Sequence, residues 1–246
     1  MRRRTLLSAA VLALTVAASG CSGGTDEPAA ATPEEQLTTA RTIFDDADAV
    51  TIALTSTGVP SEQNGVRSAT GTGVIDGDTI KFAGDFEGRV AGISATVGII
   101  CIGADAYMKM FTPDYTPVDL DDLGAPNPTT FFAPETGIAS LLDATTDVAP
   151  GGRLREGREI LHEVTGTLPG EKVEALLRLG GPGRTFDVTY GLTDTNELRT
   201  AVVKGEFFDG VESTYRLLLT DYGKTMPIDT PATGTATELP TESPTG

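Results

Sequence analysis

Basic side chains, histidine and cysteine are all scarce in this sequence, and each scarcity removes a class of function. Lysine and arginine number 18 against 35 acids, a formal charge of −17. Binding nucleic acid needs a basic stripe that releases counterions from phosphates, and no window supplies one. The same charge opposes attraction to anionic lipid head groups, so membrane association has to come from an anchor. The one histidine, His162 within Ile160-Leu161-His162-Glu163-Val164, reads as a structural strand residue. Gly92-Ile93-Ser94-Ala95-Thr96 lacks the last glycine of a nucleophile elbow and lies inside a strand pattern. Gly71-Thr72-Gly73 has neither a third glycine nor a following helix, which rules out a dinucleotide site. Asp119, Asp121 and Asp122 lack the glycine and distal glutamate of a calcium loop and read as a solvated acidic loop. No catalytic residue, metal ligand or cofactor is therefore expected, and the chain is not expected to be an enzyme.

Long apolar runs are also missing, with one short exception at the start. Met1-Arg2-Arg3-Arg4 precedes an apolar run from Leu6 to Ala18, and Ala18-Ser19-Gly20-Cys21 follows. The run is too short to span about 30 Å of hydrocarbon, and small residues before a cysteine are what a lipoprotein signal peptidase requires. Residues 1–20 are thus a lipoprotein signal peptide, and cleavage leaves Cys21 first, where acylation with two or more chains anchors the protein to the extracytoplasmic face of the cell membrane. Arg3-Arg4-Thr5-Leu6-Leu7 loosely matches a twin-arginine signal, and both export routes stay open. Loss of Arg2, Arg3 and Arg4 leaves 15 basic and 35 acidic residues, a charge of −20. With Cys21 acylated, Cys101 has no disulfide partner; within Ile99-Ile100-Cys101-Ile102 it reads as a buried, inert thiol. Residues 21–33 and 230–246, rich in Gly, Ser, Thr, Pro and acid, are expected to be a flexible tether and a disordered tail. One domain is left between them, at 34–229.

Within it, Pro33-Glu34-Glu35-Gln36 followed by Leu37, Ala40, Ile43 and Phe44 predicts an amphipathic first helix. From Ala49 to Asp122 apolar residues recur every second position between turn signals such as Asp76-Gly77, which predicts consecutive antiparallel strands. Pro113 to Pro128 reads as a break. Thr129 to Asp143 takes helical spacing, divided by Pro134 and Gly137 into two short pieces. A strand at Glu159 to Leu168, a short helix opened by Pro169-Gly170-Glu171-Lys172, and strands at Thr185 to Leu192, Leu198 to Phe208 and Ser213 to Tyr222 complete the pattern. About eight to ten strands with three or four helices make an α+β domain, one large antiparallel sheet with helices on one face. Glycine is 29 of 246 residues, above an average of about 7%, and those inside strands permit the bends of a strongly curved sheet.

Short, broken helices laid over a concave apolar face leave open whether the concavity is filled. If a void remains, its lining should come from Ile80, Phe82, Phe86, Ile93, Val97 and Ile99 on the strands and from Phe131, Phe132, Ile138, Leu141 and Leu142 on the helical pieces. Such a space is dry and suits hydrocarbon, about 0.8 kcal/mol per buried methylene giving roughly 11 kcal/mol gross for a chain of fourteen. A filled core is the competing reading.

Thr55-Ser56-Thr57-Gly58-Val59-Pro60, Gly124-Ala125-Pro126-Asn127-Pro128 with Pro134-Glu135-Thr136-Gly137-Ile138, Val164-Thr165-Gly166-Thr167-Leu168-Pro169 and Leu219-Thr220-Asp221-Tyr222-Gly223 occur in order behind the signal. In this order and spacing the chain resembles the LppX/LprA/LprF/LprG lipoproteins of mycobacteria and related actinobacteria, from about Gln36 to Pro231. That resemblance implies a half-barrel with helices across its opening, enclosing a large hydrophobic cavity. It further implies a carrier that moves multiply acylated lipids or glycolipids from the plasma membrane toward the outer envelope. The implied ligand classes are phosphatidylinositol mannosides, lipoglycans, triacylglycerols and phthiocerol-type waxes, and some members work beside a major-facilitator exporter. A monomer is expected. The alternatives are an envelope protein-interaction module with a filled core and, further off, a lipid-modifying esterase.

Overall fold

The computed structural model describes residues 31–90 and 92–232. The signal peptide, Cys21, the tether as far as Ala30 and the tail beyond Ala232 lie outside the described residues.

Helix α1 (Pro33–Asp45) starts where the local chemistry directs. Thr32 and Glu35 form a reciprocal capping box, the Thr32 Oγ1 accepting from the Glu35 N–H at 3.2 Å and the Glu35 carboxylate accepting from the Thr32 N–H at 2.8 Å. Pro33 occupies the first turn, where its missing N–H costs nothing. The helix buries Leu37, Ala40 and Phe44 at the spacing its sequence predicts.

Six strands then run as a meander: β1 (Ala49–Thr57), β2 (Gly65–Asp76), β3 (Thr79–Val90), β4 (Ile93–Ile102), β5 (Asp105–Lys109) and β6 (Thr116–Val118). A second meander is built from β7 (Thr146–Glu156), β8 (Glu159–Pro169), β9 (Thr185–Leu192), β10 (Leu198–Phe208) and β11 (Val211–Thr220), with helix α3 (Gly170–Leu177) between β8 and β9. The last strand pairs with the first, Ile52 opposite Leu219, which joins both meanders into one antiparallel sheet ordered β6-β5-β4-β3-β2-β1-β11-β10-β9-β8-β7. The sheet does not close, because β6 and β7 remain its two edges.

This topology places the functional region. After β6 the chain stands at one edge and must reach the other to begin β7, so residues 119–145 cross the sheet. Within that crossing lie a 3-10 turn, Pro128–Phe132, and helix α2 (Ile138–Ala144). Both pack with α1 and α3 into the apolar cluster formed by one face of the sheet. The molecule is an α+β half-barrel with its helical segments on the inward side.

Register makes that inward face continuous. Ile52 lies opposite Gly71, Gly71 opposite Gly84, and Gly84 opposite Ile99, which faces Met108. On the other side Leu217 lies opposite Ala201, Ala201 opposite Tyr190, and Tyr190 opposite Val164. The glycines in this row keep side-chain bulk off the backbone. A Cβ at Gly73 would sit 2.2 Å from the Phe132 ring, and one at Gly71 would sit 2.2 Å from the Phe82 ring. Both rings therefore lie directly on the sheet. Phe132 is also stacked on Phe44 with centroids 6.2 Å apart, so a strand glycine, the crossing segment and α1 meet at one ring. On the reverse face Ile228, from the segment after β11, covers Ala49 and Val74.

Two strands depart from the sequence pattern. β6 falls inside the expected break, and β7 lies where no strand was expected. Each contains a proline, Pro117 and Pro150, and each is an edge strand, the position where a missing N–H and sparse apolar residues are tolerated.

Candidate functional site

The inward side is not uniformly filled. Over β8, β9 and β10 it is packed solid: Phe186, Tyr190, Leu168 and Val164 are fully buried against α2 and α3. The Tyr190 hydroxyl is satisfied there by Thr145 at 2.9 Å, and burial holds its proton far above the ordinary tyrosine range. Over β1, β2, β3 and β4 the cover is thinner, because the crossing chain runs there as the loop 119–127 and the 3-10 turn. Beneath it lies an apolar hollow of about 300 Å³. Its floor includes Leu54, Ala69, Phe82, Phe86 and Ile99; Leu123, Ala125, Phe131, Leu177 and Leu179 contribute from the cover. Apolar surface dominates the lining, so water gains few partners inside while hydrocarbon loses none.

The structure places the residues singled out from sequence in three groups. Phe82, Phe86, Ile99 and Phe131 line the hollow. Ile138, Leu141, Leu142 and Phe132 are buried in the packed cluster, Ile80 packs against it, and Val97 is completely buried away from the lining. Ile93 is half-exposed: it begins β4 opposite Val90, and the buried stretch of that strand starts only at Val97. Alternation assigns its side of the sheet correctly but says nothing of where the cover ends. Leu54 and Ala69 share the alternating pattern, and their register would have pointed to them. Leu123, Ala125 and Leu179 sit in loops and carry no periodic signal.

Polar groups gather at one end of the hollow. Asn64, Arg89 and Tyr215 all border it. The Asn64 Oδ1 accepts from the Gly92 N–H at 3.0 Å, and the Arg89 guanidinium lies 3.9 Å from the Glu62 carboxylate. Burial pushes the Tyr215 hydroxyl up to about 12, so it remains a hydrogen-bond donor at neutral pH. A separate cleft of about 530 Å³ beside β5 and β6 is lined by Asp105, Asp119, Asp121 and Arg178 and shares the wall residues Leu120 and Pro126 with the hollow. Its charged lining makes it unsuitable for hydrocarbon.

Asp119 accepts from the backbone N–H of Asp121 at 2.9 Å, and Asp121 pairs with Arg178 at 2.8 Å, so these acids shape the loop and tie it to the end of α3. His162 Nε2 lies 2.8 Å from Asp194 on the sheet surface, away from the hollow lining. Cys101 is free and fully buried, and burial pushes its thiol from 9.0 up to about 12. Because the thiolate is the reactive species, Cys101 in the native chain at pH 8 is expected to react with a water-soluble thiol reagent at least about a hundredfold more slowly than in denaturant. Mass-resolved labelling checks this, and equal rates would contradict the burial.

The comparisons follow the geometry. A family profile described as LppX_LprAFG lipoprotein matches residues 32–228. No curated protein sequence matches the chain. Among solved structures, LprF from Mycobacterium bovis superposes with a TM-score of 0.71 at 14% identity, covering 81% of this chain and 97% of that one. LppX from Mycobacterium tuberculosis superposes with a TM-score of 0.60 at 14% identity, covering 80% of this chain and 98% of the other. At such identity the structures establish a shared fold; the profile, spanning all the described helices and strands, establishes that this chain belongs to the LppX_LprAFG lipoprotein family.

Proposed function

We propose that the protein is a non-enzymatic carrier, anchored through acylated Cys21 at the extracytoplasmic face of the cell membrane, that holds acyl chains of lipids in its hollow. The observation that carries this reading is the apolar-lined space of about 300 Å³ left between the sheet and the crossing segment, beside the solidly packed cluster over β8 and β9. A void of this kind forfeits packing energy, and a ligand that fills it recovers about 0.8 kcal/mol for each methylene it buries. The sheet and its cover replace membrane hydrocarbon around the chain while the head group stays in water at the polar end.

The finer reading is that multiply acylated lipids or glycolipids travel in this way from the plasma membrane toward the outer envelope, with the segment between Cys21 and α1 giving the domain its reach. At about 300 Å³ the hollow stands at the lower end of the range for ligand sites, so a second or third chain requires the loop 119–127 to lift from the sheet. Vesicles containing fluorescent acyl lipids test the carrier reading. Transfer of probe to the protein, together with acyl lipid recovered by native mass spectrometry from the producing cell, is the expected result. Repeated isolation without lipid and without uptake would refute it.

A further inference from the structure

Among the described residues three buried side-chain polar atoms have no hydrogen-bond partner in the protein: Asp45 Oδ1, Arg89 Nε and the Tyr215 hydroxyl. Asp45 belongs to α1, and its other carboxylate oxygen pairs with Arg41. The remaining two both border the hollow. Leaving a buried donor unpaired is costly enough that folded proteins rarely do so without a reason, and two at one apolar cavity demand a common one.

They also stand at the same end. Arg89 is the register partner of Gly65 across β2 and β3, and the position of a Gly65 Cβ lies 3.8 Å from the Tyr215 hydroxyl. Gly65 itself borders the hollow between them. Both unpaired groups donate: a guanidinium N–H can only donate, and the Tyr215 phenol keeps its proton. What they lack is an acceptor oxygen. The surroundings decide its charge. Glu62 lies within 3.9 Å of the guanidinium, so the positive charge of Arg89 already has a carboxylate partner and little is left to draw a second negative group.

We infer that Tyr215 and Arg89 form a carbonyl-reading pair that receives the uncharged ester oxygen at the end of an acyl chain, so that the hollow selects esterified chains over free fatty acids and over alkyl cations. This assignment rests on the carrier reading and adds to it a specificity. The alkyl chain lies along Leu54, Ala69 and Phe82, and its carbonyl meets the two donors where the apolar lining ends.

Three probes of equal chain length test it: methyl dodecanoate, dodecanoate and dodecyltrimethylammonium. Each is titrated against a fluorescent alkyl reporter bound to the isolated chain after extraction of bound lipid. The ester is expected to displace the reporter roughly tenfold better than the cation, with dodecanoate between them. Tyr215→Phe, which removes only an oxygen and keeps the ring against Phe207, is expected to weaken the ester roughly tenfold and leave the cation unchanged. Arg89→Met should act in the same direction. Equal binding of all three probes, or ester affinity unchanged in Tyr215→Phe, overturns the pair while leaving the carrier intact. Failure of every probe to displace the reporter, or of the reporter to bind, overturns both.

Discussion

Replacement of Phe132 by alanine is expected to lower the unfolding free energy by about 3 to 5 kcal/mol, the largest stability loss from any single substitution considered. Phe132 is 3% exposed, lies on the bare backbone of Gly73 and meets both Phe44 and Phe82. Its removal opens a cavity where α1, the crossing segment and the sheet converge, and none of the three can close it without moving. Gly73→Val attacks the same contact from below, since any Cβ there falls 2.2 Å from the ring. The two positions share one contact, so their effects should not add: in Phe132→Ala the Gly73→Val change should cost at least about 1 kcal/mol less than in the native chain. Denaturant midpoints for the four chains of this cycle measure it, and strict additivity would show that the ring does not rest on the strand.

Filling the hollow should abolish loading while leaving the domain folded. Ala69 lies on its floor, between Leu54 and Phe86 in register, and Ala69→Trp would place an indole where hydrocarbon is expected. Excluding about four methylenes at about 0.8 kcal/mol each removes roughly 3 kcal/mol of binding, a loss on the order of a hundredfold in lipid uptake. Overpacking costs about 1 to 3 kcal/mol of stability, so thermal unfolding of the variant must accompany the uptake assay. Thr70→Trp, one residue along on the exposed face, is the matched control and should load normally. Uptake undiminished in Ala69→Trp, with the domain folded, would place the ligand somewhere other than this hollow.

Much of the architecture is legible residue by residue. Alternation in Val50, Ile52 and Leu54, or in Phe82 and Phe86, assigns faces that register then aligns across the sheet. The division of the crossing segment was equally readable, Pro134 and Gly137 separating a 3-10 turn from α2, and Pro33-Glu34-Glu35-Gln36 marked the start of α1, whereas the reciprocal cap from Thr32 to Glu35 emerged only in the structure. Edge strands were not readable, because β6 and β7 hold prolines and little apolar surface and draw their order from a neighbouring strand. The site was legible only in part. Phe82, Phe86, Ile99 and Phe131 carry both periodicity and bulk, whereas Leu123, Ala125 and Leu179 reach the hollow from loops with no period to betray them.

The amino-acid sequence alone determined the acidic charge, the antiparallel meanders and, outside the edge strands, the side of the sheet to which a strand residue belongs, since these follow from local chemistry and a two-residue repeat. Tertiary structure decided where the inward side is solid and where it is hollow. That choice depends on which distant segment lies over each strand: α2 and α3 fill the space above β8 and β9, while a loop too thin to do so passes over β2 and β3. It likewise brought Arg89 of β3 and Tyr215 of β11 to one end of the same space, a meeting set by strand order and register rather than by anything near either residue in the chain.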